Sequence, residues 1–247
     1  THADNITANT LILLADGCYI ELICFLPQPA GSDAVKNHWW GPSSDRIGWT
    51  DWCLTNSLSP TQNHEIVKET HGNPVQGGRK RPDGKEVKWS VTFPKGDLGG
   101  QSTRGKVPFF CHDTTPRELR VPGDQDKLSH ANGVLGVQSI TVVVKDQELL
   151  DDVSKVYGNV LGVEGLRSGE EVTFEIGRVK QVKELGSGPK IVLRLPSSEE
   201  EAAKTVENRF WFGEVVLSAQ GGNYKQSGLR ERVDTDKDVG GVWIQYL

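Results

Sequence analysis

From Asn9 to Phe25 the chain reads NTLILLADGCYIELICF, two apolar runs around Ala-Asp-Gly, which predicts a β-hairpin. A single carboxylate, Glu21, interrupts the second run. Burying a charge is costly unless it is paired or holds a metal, so Glu21 needs either a structural partner or a chemical role. After a Pro/Gly/Ser-rich linker, LPQPAGSD, the segment RIGWTDWCLT reads as a strand. SPTQNHEIVKETHG reads as a helix capped by Ser59, with Pro60 at its first position and Gly72 as its stop. KEVKWSVTFP and VPFFCHDTT alternate as strands on either side of KGDLGGQSTRGK, expected to be a mobile loop.

The order then repeats. GVLGVQSITVVVKD predicts a strand, and QELLDDVSKVYGNVLG a helix with Leu149, Leu150, Val153, Val156, Tyr157 and Val160 on its apolar face. EVTFEIGRVKQV and GPKIVLRLP follow as strands, and SSEEEAAKTVENR as a short surface helix whose Ser198 precedes an acidic first turn. FWFGEVVLSA and GGVWIQYL close the chain as strands. Each helix is followed by hairpins instead of another helix, so the class is α+β and not a doubly wound parallel sheet. Neither GxGxxG nor a Walker sequence is present.

The 247 residues suffice for one large domain or two small ones. With 28 Lys and Arg against 33 Asp and Glu, and only GGRKRPDGK as a basic cluster, a nucleic-acid surface is not supported. No apolar run approaches the roughly 18 residues of a membrane helix, and the start lacks a signal-peptide profile. A cytoplasmic, soluble protein acting on a small molecule is expected, with no nucleic-acid or membrane partner; a homodimer is compatible. Cys18, Cys24, Cys53 and Cys111 lack CxxC spacing and are expected to be buried thiols, not a disulfide set. The chain has no methionine, so Thr1 is not expected to be the translational start.

Gly17-Cys18-Tyr19-Ile20-Glu21 and Gly241-Val242-Trp243-Ile244-Gln245 share an order of glycine, apolar, aromatic, isoleucine, then Glu or Gln. Phe110-Cys111-His112 is a looser third instance. The echo predicts three units, each ending in a strand that carries one ligand-type side chain: Glu21, His112 and Gln245. Residues two apart on a strand share a face, so Tyr19, Glu21 and Ile23 point one way. The alternative for Glu21 is an ion pair with an arginine such as Arg46 or Arg79 at a sheet edge.

Together NTLILLADGCYIELICF, RIGWTDWCLT, RPDGKEVKWSVTFP, PFFCHDTTPRELRVP and HANGVLGVQSITVVVKD resemble glyoxalase-like domain proteins of the vicinal oxygen chelate (glyoxalase/bleomycin resistance/dioxygenase) superfamily, particularly its fungal branch. The resemblance implies repeated βαβββ modules forming curved mixed sheets around a divalent metal or a ligand. It implies a paired-module domain over residues 1–122, lacking its first strand and helix, and a further module over 130–247. Carried over, Glu21 matches the last-strand glutamate that binds metal or acts as base, and His112 lies near the corresponding place in the next module. With the first-strand histidine they would make two histidines and a carboxylate, a set suited to iron(II); Zn, Ni or Mn are the other divalent candidates. Trp49-Thr50-Asp51 and Ser139 stand where the family often has histidine.

His2 and His130 are further candidate ligands or substrate contacts, as is Gln245. Trp40 and Trp49 would wall an aromatic pocket, whereas Trp52 is assigned to the core. His38, His64 and His71 are expected at the surface. The resemblance thus implies a divalent-metal-dependent lyase, isomerase or dioxygenase acting on a small oxygen-bearing molecule. A metal-free protein that binds and sequesters such a molecule is the alternative.

Overall fold

A computed structural model describes residues 6–30, 32–38, 40–41, 48–221, 226–234 and 240–247. Contacts divide the chain into two compact units. The first comprises residues 1–13 and 19–122, the second residues 14–18 and 123–247.

In the first unit, β1 (Thr7–Leu13) and β2 (Tyr19–Phe25) form an antiparallel two-stranded sheet in which Glu21 lies opposite Leu11. β3 (Cys53–Leu54), α1 (Pro60–Val67), β4 (Val75–Lys80), β5 (Glu86–Thr92) and β6 (Phe109–Asp113) build a four-stranded sheet of order β3-β6-β5-β4. Its first strand runs parallel to its last, the βαβββ arrangement that the alternation of elements predicts. Ser59 caps α1 through a reciprocal capping box with Gln62.

The second unit carries a short helix α2 (Gln125–Leu128), then β7 (Val134–Val144), α3 (Gln147–Leu161), β8 (Leu166–Ser168), β9 (Glu171–Glu175) and β10 (Lys190–Arg194). These strands lie in the order β7-β10-β9-β8, with β10 parallel to β7. After α4 (Glu199–Lys204), β11 (Phe210–Ala219) pairs antiparallel with β7 and parallel with β13 (Gly241–Tyr246), and β12 (Arg230–Arg232) flanks β13. All seven strands form one sheet. The apolar stripe of α3 buries Leu150, Val153, Tyr157 and Val160, and its packing includes Tyr157 against Phe174 with ring centroids 5.9 Å apart. Asp146 caps its N-terminus, and Gly162, at φ 67°, ends it in the left-handed conformation.

Four expectations are corrected. The module that opens with β7 closes with β10, because parallel pairing joins first strand to last; Gln245 therefore ends a further unit, β11 to β13. The loop from Lys95 to Lys106 is pinned: Arg104 is buried, paired with Asp51, and its guanidinium lies 4.4 Å from the Phe93 ring centre. His71 is fully buried, with Nε2 2.9 Å from the Pro108 carbonyl and Nδ1 2.9 Å from the Thr70 hydroxyl. Finally, Cys24 and Cys53 reach solvent and only Cys111 is buried, since β2, which carries Cys24, and β3, the edge strand that carries Cys53, each have a single neighbouring strand.

Candidate functional site

Alternation along β6 sorts its side chains into two sets. Phe110 and His112 lie on the α1 side. His112 Nε2 is 3.0 Å from Asn56 Oδ1, and the Asn56 amide donates to Asn63 of α1 at 2.6 Å. Ser90 and Thr92 of β5, directly opposite His112 and Phe110, share that face. Burial holds the His112 imidazole below its usual pKa, with Asp113 opposing the shift. His112 Nδ1, Asn63 Nδ2, Ser90 Oγ and Thr92 Oγ1 are buried without a hydrogen-bond partner among the described residues.

Phe109, Cys111 and Asp113 occupy the opposite face, together with Cys53, which is in register with Phe109. Here β2 contributes Tyr19 and Glu21. Arg120, in the turn after β6, donates through Nη1 to the Tyr19 hydroxyl at 2.6 Å. The same guanidinium grips Asp113 at 2.5 and 2.9 Å, and Arg117 adds a contact to Asp113 at 2.8 Å. Although burial works against it, this pair of arginines holds the Asp113 carboxyl below the usual carboxylate range. Asp113 is thereby committed to structure, and its service is to fix Arg120.

Burial raises the Tyr19 phenol well above its ordinary pKa; Cys53, Cys111 and Glu21 add to the rise, and Arg120 opposes it. Tyr19 is therefore a neutral phenol at physiological pH, accepting from Arg120 while keeping its own O–H to donate. Glu21, on the same strand face, is exposed; its Oε1 accepts from the Asn9 amide at 2.7 Å. Its charge is also felt at Cys53 and Cys111. The face thus combines a positioned hydrogen-bond donor with an accessible carboxylate.

The family model described as "Glyoxalase-like domain" matches residues 1–157, well over half of the chain. The chain belongs to the glyoxalase-like domain family. A solved hypothetical protein from Staphylococcus aureus shares its fold, with a TM-score of 0.65 at 12% identity, covering 98% of this chain and 86% of that one. A 4-hydroxymandelate synthase mutant from Streptomyces coelicolor matches with a TM-score of 0.46 at 10% identity, over 90% of this chain and 61% of that one. Methylmalonyl-CoA epimerase from Mycobacterium tuberculosis matches at 0.28 and 11% identity, over 48% of this chain and 91% of that one. Curated protein sequences give no match. No helix among the described residues is long and apolar enough to cross a membrane.

Glyoxalase-like relatives raise the question of a divalent metal, and the donors among the described residues do not fit one. His112 points to the α1 side, while Cys111, which senses Glu21, points to the other, so the structure does not bring Glu21 and His112 to one point. Asp113 is saturated by arginine. Among the described residues, no group of three His, Cys, Asp or Glu side chains could hold a metal ion. His2 lies outside the described residues, as does Arg46.

The remaining candidates are dispersed. Trp40 packs on His38 at 5.2 Å between ring centres and lies 5.8 Å from the Arg104 guanidinium, so it helps enclose the Arg104–Asp51 pair. Trp49 is half-buried, and Trp52 is a core residue whose indole donates to Gly105 at 2.9 Å. His130 sits in the loop before β7, and Gln245 donates to the Leu229 carbonyl at 3.2 Å. Sequence reasoning missed Arg120 and Asp113. Their signal was DTTPRELR, where an aspartate precedes arginines four and seven positions on, a spacing that folds both guanidiniums back onto one carboxylate.

Proposed function

We propose that this glyoxalase-like protein catalyses a metal-independent proton transfer of the isomerase or lyase type at a carbon next to a carbonyl group. The observation that carries the reading is the Tyr19 hydroxyl, held by Arg120 beside Glu21 on one strand face. The substrate's carbonyl oxygen accepts from the Tyr19 O–H, and the Glu21 carboxylate takes the proton from the adjacent carbon. The electron pair of the broken C–H bond moves to the oxygen as an enolate, stabilised by Tyr19. Return of the proton from Glu21 to the same carbon restores the substrate with exchange. In an α-hydroxyketone, passage of the hydroxyl proton to the enolate oxygen and return of the Glu21 proton to the former carbonyl carbon complete an isomerisation. Loss of a β-substituent with its bonding pair instead completes an elimination.

A neutral phenol suits this role because it donates a hydrogen bond without itself being charged. Arg120 is a positioning residue, since it acts through Tyr19. The reading is tested by incubating the protein with small α-hydroxyketones in D2O under a chelator and following loss of the α-C–H signal by NMR. Exchange faster than the buffer control, lowered at least tenfold in Glu21→Gln, is expected; exchange equal to the buffer control contradicts it.

A binding role without turnover has one observation in its favour. Asn9 donates to Glu21 at 2.7 Å, a contact that already occupies one oxygen of the carboxylate. Saturable binding of the same ketones with no exchange would select that reading.

A further inference from the structure

A cavity of about 410 Å3 lies on the sheet of the second unit, within the size range of small-molecule sites. Gln138 and Ser139 of β7, Thr173 of β9, Arg178 in the loop between β9 and β10, and Lys190 of β10 all line it. Gln138 and Ser139 are consecutive, and in a regular strand they would face opposite sides. The register explains why both reach the cavity: Val216 pairs with Ser139 and Leu217 with Val137, so Gln138 is the extra residue of a β-bulge. Bulges re-aim side chains and recur beside functional sites.

The bulge is held from a distance. The Asp16 carboxylate, fully buried, accepts from the Val137 amide at 2.8 Å, and its own amide donates to Leu135 at 3.1 Å. Arg178 Nη1 donates to the Val137 carbonyl at 2.9 Å and lies 3.5 Å from Asp16, while Nη2 donates to Ser187 at 2.7 Å. The Arg178 side chain is only 4% exposed, and its Nε has no hydrogen-bond partner among the described residues. Gln138 Oε1 is likewise buried and unpartnered. Both residues line the cavity, and each carries a buried unpartnered atom that is costly to the fold alone.

We infer that this cavity is a binding site for a small neutral polyhydroxylated molecule of about monosaccharide size. Charge decides the class. Asp16 offsets Arg178, and the cavity wall carries one further residue of each sign, Lys190 and Glu171, so neither an anion nor a cation is favoured. Chemistry decides the functional group: a hydroxyl both donates and accepts, so a polyol matches a lining in which the neutral Gln138 amide supplies donor and acceptor. The Ser139 and Thr173 hydroxyls offer further partners of the same kind.

The test is calorimetric titration of the full chain with D-glucose and with myo-inositol, using gluconate and glucosamine as anionic and cationic comparators. Saturable binding of at least one neutral polyol is expected, stronger than either comparator, and weakened about tenfold by Gln138→Leu. Lys190→Ala, at an exposed position that does not endanger folding, is expected to weaken it several-fold. Absence of binding by both neutral polyols, as when the cavity holds only water, overturns the inference. So does equal or tighter binding of a charged comparator, or affinity unchanged in both variants.

Discussion

Arg120 donates to the hydroxyl of Tyr19 across 101 positions of the chain, and the same guanidinium is clamped on Asp113. Both side chains of the Arg120–Asp113 pair are 10% exposed. Removing Arg120 leaves Arg117 as the one remaining cation on the buried Asp113 carboxylate, at a cost of up to about 3 kcal/mol. Arg120→Ala is therefore expected to lower the urea midpoint by an amount corresponding to roughly that loss. Tyr19→Phe removes one hydrogen bond and is expected to cost about 1 kcal/mol, which leaves the folded protein available for functional assays.

Glu201 reports on pH. Arg194 grips it through two contacts of 2.6 Å, and the amide and hydroxyl of Ser197 add to the hold, so its pKa falls from 4.5 to about 2 despite burial. A folded pKa below the unfolded one means that the stabilisation is present above pH 4.5 and is lost as pH falls toward 2. The shift corresponds to about 3 kcal/mol. Thermal melts of the wild type are expected to drop steeply across that window, whereas Glu201→Gln is less stable at neutral pH and lacks the corresponding segment of the drop.

Beneath α1, Thr92 Oγ1 is fully buried with no hydrogen-bond partner among the described residues. Replacing an unpaired buried hydroxyl by a methyl of similar shape removes a desolvation cost of about 1 kcal/mol or more. Thr92→Val is expected to raise the denaturation midpoint. A lowered midpoint would show that the hydroxyl is satisfied in solution.

Gly136 is required by close approach. A Cβ there would stand 2.3 Å from Asp16 Oδ2, a carboxylate fixed by the amides of Val137 and Cys18. Gly136→Ala is expected to destabilise by about 1 to 3 kcal/mol. Gly123→Ala, where nothing lies within 4 Å of the added methyl, is expected to stay within about 0.5 kcal/mol of the wild type.

The βαβββ order was legible in the chain because each helix carries its cap and stop: Ser59 and Pro60 for α1, Asp146 and Gly162 for α3. Tyr19 and Glu21 were placed on one face by the two-residue period of a strand alone. What the chain did not show was partnership between distant segments. ADG reads as a turn, yet Asp16 is also the residue that pins a bulge at Val137, 121 positions away. His112 illustrates the converse: Phe-Cys-His matches a ligand motif, but strand alternation gives Cys111 to the Glu21 side and His112 to the α1 side. Aspartate 51, read as a departure from histidine, is the partner of Arg104, which no local pattern announces.

In the proposed reaction Tyr19 and Glu21 transfer a proton without a metal. Its most direct measurement is the rate of α-deuteration of small α-hydroxyketones in D2O, followed by NMR for exhaustively chelated wild type, Glu21→Gln and Tyr19→Phe. Exchange above the buffer rate is expected in the chelated wild type, with a fall of at least tenfold in Glu21→Gln and a smaller fall in Tyr19→Phe. Exchange that disappears on chelation, or that survives both substitutions, would contradict the proposed reaction.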